Sequence, residues 1–283
     1  MKNKMKLVVG LLFAATVVAQ AALFVENFDG YDPTTDTDGT GSSTLGGQGQ
    51  LEDITGTTWS GADTDAGNLQ TRVEGTGDRN LSIYTHSGTA LPQLNSSTFT
   101  AQDQTDAFSF YFNLENWGIN QQYARVEIGV RDSVSGNNVL GIDMLTASAN
   151  NTTQMNIWLW DYTSGTRANG GAGERTTSTV NATTVGSIGL AYDGAGNILI
   201  TAFSGANQTG TSLRTITTTV DTANFSADSM FIRASQGNTS KNRIINVGVD
   251  DLTVIPEPAT LGMILLMGGG LLFARRRRRY LKI

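Results

Sequence analysis

Two glutamates, two tryptophans, a tyrosine and an arginine hold most of the chemistry this sequence offers. In a β-strand, alternate side chains face opposite sides. The run 107–114 then puts Phe108, Phe110, Phe112 and Leu114 on an apolar face and Tyr111, followed by Glu115, on the other. The run 123–131 sets Arg125, Glu127 and Arg131 against Ala124, Val126, Ile128 and Val130. Asp143 and then Asn156, Trp158, Trp160 and Tyr162 would join the polar side from the next two runs. If the four runs are neighbours, Tyr111, Arg125, Glu127, Trp158 and Trp160 form a lectin-like surface for polysaccharide. Flat rings would meet sugar faces and fixed polar groups their hydroxyls. Glu115 and Glu127, facing each other, would be the acid and the nucleophile or base of a polysaccharide-cleaving enzyme. The plainer alternative makes Trp158 and Trp160 core residues or places them under a loop, with Glu127 in a solvated ion-pair ladder. Exposed polar faces are normal on antiparallel sheets, which favours that alternative.

Calcium is a second candidate chemistry. The stretch Asp32-Pro-Thr-Thr-Asp36-Thr-Asp38-Gly39 is acidic and contains glycine, but lacks the spacing and closing glutamate of an EF-hand loop. Glu26 and Asp29 near one end of the chain's middle region would meet Asp250 and Asp251 near the other if those segments pair. No cofactor other than calcium is suggested.

Other chemistries find no residues. The chain has no cysteine, so disulfides, thiolate metal sites and a cysteine nucleophile are excluded. His86 is the sole histidine, which rules out multi-histidine zinc sites and leaves any serine triad dependent on a residue that reads as a strand end. There is no Gly-x-Ser-x-Gly elbow and no phosphate-binding glycine signature. The expectation is a non-enzymatic protein.

The elements that would position these residues are short. The chain from residue 22 to 255 is rich in Gly, Thr, Ser, Asn and Asp, and its β-branched and aromatic runs are separated by turn residues. That pattern predicts an all-β antiparallel sandwich. Strands are expected over 23–28, 69–73, 80–85, 107–114, 123–131, 139–146, 154–162, 187–192, 198–203, 212–220, 229–234 and 244–254. Asp193-Gly-Ala-Gly-Asn197 and Ser135-Gly-Asn-Asn138 read as hairpin turns. The stretches 32–50 and 163–178 read as long loops. The Asn-x-Ser/Thr sequences scattered along the chain mark polar, exposed backbone.

The two ends are of another kind. Lys2, Lys4 and Lys6 precede an apolar stretch from Leu7 to Val18, and Ala19-Gln20-Ala21 is a small-x-small cleavage site. Residues 1–21 therefore read as a secretory signal peptide, cut by signal peptidase after passage through the Sec translocon. At the other end Pro256-Glu257-Pro258 is stiff and extended. The uncharged segment from Ala259 to Ala274 follows, then Arg275, Arg276, Arg277, Arg278 and Arg279. As a helix the uncharged segment would be about 24 Å long, somewhat short of the ~30 Å hydrocarbon core. The arginines would stop transfer and stay cytoplasmic. Without both ends the region has ten Lys and Arg against twenty-four Asp and Glu, a net charge of about −14. So acidic a surface disfavours nucleic acid and polyanions, and suits an extracellular protein.

Residues 254–283 closely resemble the PEP-CTERM sorting signal: a Pro-Glu-Pro motif, a short hydrophobic helix and a terminal arginine cluster. The resemblance implies recognition by an exosortase, a membrane-embedded cysteine protease, with cleavage at or near Pro256-Glu257-Pro258. Proteins with this signal are typically exported by Gram-negative bacteria that make extracellular polysaccharide. The middle region also resembles concanavalin A-like (LamG-like) jelly rolls. Its first strand, Leu23-Phe-Val-Glu-Asn-Phe-Asp-Gly-Tyr31, and its last, Asn246-Val-Gly-Val-Asp-Asp-Leu-Thr-Val254, look like terminal strands that lie side by side. The hairpin Leu190–Ile200 fits as well.

Together these readings divide the chain into a signal peptide (1–21), a β-sandwich (22–253) and a sorting signal with one transmembrane helix (254–283). The inner membrane would hold the protein, with its arginine tail cytoplasmic, until processing delivers it to the cell surface or extracellular matrix.

Overall fold

The computed structural model describes residues 21–28, 59–61, 70–74, 80–85, 93–118, 125–146, 153–162, 166–168, 179–220, 225–235 and 245–256. Residues 1–20 of the signal peptide, His86, Asp29, the 32–50 stretch and everything after Pro256 lie outside the described residues. Among the described residues no helix is long and apolar enough to cross a membrane.

The described chain is all β. Its strands are β1 (Phe24–Glu26), β2 (Trp59–Gly61), β3 (Gln70–Glu74), β4 (Asn80–Thr85), β5 (Gln93–Ser96) and β6 (Gln102–Asp103). They continue with β7 (Phe108–Trp117), β8 (Arg125–Arg131), β9 (Asn138–Thr146), β10 (Gln154–Asp161), β11 (Thr166–Ala168) and β12 (Thr179–Asn181). A 3-10 turn, Ala182–Thr184, leads to β13 (Ser187–Tyr192), β14 (Asn197–Phe203), β15 (Ser212–Thr219), β16 (Ser226–Ala227), β17 (Ser229–Ser235) and β18 (Ile245–Pro256).

Two antiparallel sheets form the sandwich. One runs β15-β14-β13-β7-β18-β4-β3 with β1 also on β18, and the other runs β11-β10-β9-β8-β17-β5-β2 with β12 also on β10. We call them sheets A and B. Every strand expected from alternation is present. β2, β5, β6, β12 and β16 were not foreseen, and β11 falls inside the stretch 163–178 that the sequence suggests is a loop. These strands are two to four residues long, too short for a period of two to stand out against polar neighbours.

The core lies between the sheets. Phe108, Phe110 and Phe112 are fully buried from sheet A, with Leu114 nearly so. Val126, Ile128 and Val130 of β8, Leu140 and Ile142 of β9, and Ile157 and Leu159 of β10 oppose them from sheet B. The terminal strands lie side by side as the jelly-roll resemblance implies: Phe24 pairs with Val254 and Glu26 with Leu252. Both hairpin turns form, with Gly194 at φ 74° and Gly196 at φ 95° in one and Gly136 at φ 75° in the other, conformations that glycine adopts without steric cost.

Candidate functional site

The polar residues of β8, β9 and β10 do share one surface, the outer face of sheet B. Register places Arg233 opposite both Gln93 and Glu127, Glu127 opposite Asp143, and Asp143 opposite Trp158. A single row of side chains therefore crosses five strands from β5 to β10.

Glu127 is at its centre. Arg233 donates to its Oε2 from Nε at 2.9 Å and from Nη2 at 2.8 Å, and the Tyr162 hydroxyl donates to Oε1. Beside it, Arg125 Nη1 pairs with Asp143 Oδ2 at 3.3 Å. Each guanidinium also covers an aromatic ring: Arg125 is 5.4 Å from the Trp160 centroid and Arg233 is 5.1 Å from that of Tyr162. Gln93 and Asn138 exchange amide hydrogen bonds at 2.9 Å in both directions. Two facing glycines make room for all this. Gly129 pairs with Gly141, and a Cβ on Gly141 would strike the Glu127 carboxylate, while one on Gly129 would strike the Leu140 carbonyl and the Phe231 ring.

The row is buried. Glu127 is 1% exposed, Asp143 is fully buried and Trp158 is 4% exposed. Burial and the nearby Asp143 carboxylate hold the Glu127 carboxyl above the usual glutamate range, against the opposing pull of Arg233 and Tyr162. The Tyr162 hydroxyl is pushed well above its ordinary value by burial and by the negative charge of Glu127.

Three expectations change. Tyr111 does not join this surface: β7 belongs to sheet A, so Tyr111 sits on that sheet's outer face, away from Arg125, Glu127, Trp158 and Trp160. For the same reason Glu115 and Glu127 are on different sheets and do not form a facing carboxylate pair. The ion pairs around Glu127 exist, but they are desolvated rather than a solvated ladder, and Arg233 rather than Arg131 supplies the charge. Alternation assigns a face and says nothing about which strands are neighbours. Alternation alone does not single out Arg233 or Gln93, although a lone arginine in the apolar run Met-Phe-Ile-Arg-Ala signals a buried partner.

The acidic residues near the termini divide between faces. Glu26 turns inward with Phe24; its Oε1 accepts from the Phe28 N–H at 3.0 Å and its Oε2 from Trp59 Nε1 at 3.2 Å. Asp250 lies opposite Asn113, whose Nδ2 donates to Asp251 Oδ2 at 2.8 Å on the outer side of sheet A. Among the described residues no three acidic or histidine groups converge as metal ligands.

No curated protein matches the chain in sequence. Among solved structures it is similar to the globular domain of T. cruzi calreticulin at 8% identity and TM-score 0.44, covering 90% of this chain and 95% of that one. It is also similar to an alginate lyase of polysaccharide lyase family 7 at 14% identity and TM-score 0.38, over 66% of this chain and 82% of that one. A botulinum neurotoxin type C structure matches at 11% identity and TM-score 0.40 over 70% of this chain. The match spans only 44% of the neurotoxin chain, and a sialidase match spans 17% of that enzyme. The C-terminal match is of another kind, because it is to a sorting signal rather than to a shape. Residues 254–279 match the PEP-CTERM protein-sorting motif, so the chain carries the sorting signal of exosortase substrates behind its β-sandwich.

Proposed function

We propose that the sandwich is a non-enzymatic module of the cell surface or extracellular matrix, exported through Sec, held at the inner membrane by its C-terminal helix and released from it by exosortase cleavage at Pro256-Glu257-Pro258. The sorting motif supports the route. One observation supports the role: the charged row of sheet B is consumed by its own contacts. Glu127 is tied to Arg233 and Tyr162, Asp143 is tied to Arg125, and the Trp160 and Tyr162 rings each have a guanidinium over them. A buried, mutually paired network of this sort favours a fixed structure over turnover.

The decisive experiment is mass spectrometry of the mature C-terminus in the native host and in a strain without exosortase. A chain ending within Pro256-Glu257-Pro258 in the first and at Ile283 in the second is expected; Ile283 in both overturns the processing step. Incubating the exported protein with host polysaccharide should produce no new reducing ends, and their appearance would overturn the non-enzymatic role.

A lectin-like role is the second reading, and the contacts of sheet B point away from the face the sequence suggests. Sugar stacking needs an uncovered ring.

A further inference from the structure

At one end of sheet A the strands are unequal in length. β13 begins at Ser187, opposite Asn113, so the last residues of β7 run on beyond it. Leu114 makes one more contact, its N–H donating to the Gly186 carbonyl at 3.0 Å, and the strand then continues against β18 alone. On that side Leu114 pairs with Val249 and Asn116 with Gly248, which leaves Glu115 as the extra residue of a β-bulge. Bulges re-aim side chains and shift alternation by one. Leu114 points inward before the bulge, and Trp117 packs against the core after it.

The overhang leaves a cleft of about 280 Å³ between the end of β7 and the 3-10 turn. Leu114, Ala182 and Val185 are its buried apolar lining, and Glu115, Trp117 and Thr183 its more exposed one. Unlike the carboxylates of sheet B, Glu115 enters none of the described hydrogen bonds or ion pairs. The Thr183 hydroxyl donates to Asn181 Oδ1 at 2.9 Å, which leaves its lone pairs as acceptors.

We infer that this cleft binds one neutral pyranose unit of an extracellular polysaccharide, a site that rests on the reading of an exported module that meets such polymers. A sugar ring has apolar faces and a rim of hydroxyl donors. The partly buried indole of Trp117 and the apolar lining suit the first; the Glu115 carboxylate and the Thr183 hydroxyl suit the second. The cleft is smaller than the ~300–1,000 Å³ typical of drug-sized ligands, which limits it to a single ring. Among the described residues no lysine or arginine lines it and Glu115 is the one charge, so a uronate would be repelled.

The test titrates glucose, galactose, N-acetylglucosamine and glucuronic acid into the exported protein, read by saturation-transfer NMR. Saturable binding of at least one neutral sugar is expected, with glucuronic acid inert. Glu115→Gln should weaken that binding about tenfold, the scale of a lost hydrogen bond to a charged group. Thr183→Phe, which fills the cleft from an exposed position, should abolish it. Absence of binding by every neutral sugar, preference for glucuronic acid, or binding unchanged in both variants would overturn the site. None of these results bears on processing, which the mature C-terminus reports separately.

Discussion

Arg233 places two nitrogens on a single oxygen of Glu127, Nε at 2.9 Å and Nη2 at 2.8 Å, across the register of β17 and β8. The pair is almost wholly out of water, so removing the cation leaves a buried carboxylate with the Tyr162 hydroxyl as donor and the Asp143 carboxylate beside it. Arg233→Ala should lower unfolding free energy by about 3–5 kcal/mol, the usual cost of breaking a buried pair from one side. Urea unfolding of the exported protein measures this; a loss below about 1 kcal/mol would mean the pair behaves as an exposed one.

The same carboxyl makes stability depend on pH. Its pKa in the fold is raised above the ordinary 4.5, so over the interval above pH 4.5 the folded chain keeps a proton that the unfolded chain has released. Stability from this group is therefore fully present below that interval and declines as pH rises through the folded value. Glu127→Gln should flatten this decline when urea midpoints are compared from pH 4.5 to 8. Parallel profiles for the two proteins would contradict it.

Gly129 and Gly141 face each other in the middle of sheet B, and neither has space for a methyl group. Gly129→Ala should be the worse substitution, because it meets the Leu140 carbonyl and the Gly141 backbone. Gly141→Ala meets the Glu127 side chain, which has some freedom to move. Overpacking of this sort typically costs about 1–3 kcal/mol. Thermal unfolding of both variants gives the order, and a larger shift for Gly141→Ala would reverse the argument.

In the hairpin between β13 and β14, Asp193 accepts from the Ala195 N–H at 2.8 Å, the Asn197 N–H at 2.9 Å and Asn197 Nδ2 at 2.6 Å. Burial alone would raise its pKa; the Asn197 side chain and the two backbone N–H groups together pull it below the ordinary 3.8. The stability this provides is present above pH 3.8 and is lost as pH falls through the lower folded value. Asp193→Ala should cost about 1 kcal/mol at neutral pH and reduce the loss of stability on acidification. Equal acid sensitivity in the two proteins would exclude this role.

The sorting motif begins inside the sandwich. Its first residues, Val254 to Pro256, are the end of β18: Val254 pairs with Phe24 and Phe110, and Pro256 with Phe108. A chain truncated after Pro258 should therefore fold with an undiminished Tm. One truncated after Leu252 loses the buried Val254 and the bond its carbonyl accepts from the Leu23 N–H at 2.8 Å, and should unfold at markedly lower temperature. Circular dichroism melts of the two truncations separate these outcomes.

How much of this was legible beforehand depended on the range of the interaction. Local chemistry is written in the chain. Alternation in Phe108–Leu114 and Arg125–Arg131 fixed which side chains face the core, the glycines of Asp193–Asn197 fixed a hairpin, and Pro256-Glu257-Pro258 with its apolar segment and arginines marked the sorting signal. Which strands are neighbours is not local. β7 and β8 are consecutive in sequence yet belong to opposite sheets, while β8 pairs with β17 about a hundred residues later, so Tyr111 left the expected face and Arg233 entered it. A period of two is the same in either sheet. Only burial of both apolar faces against each other decides which strands pair, and with that whether a carboxylate such as Glu127 is paired and buried or, like Glu115, left at an open bulge.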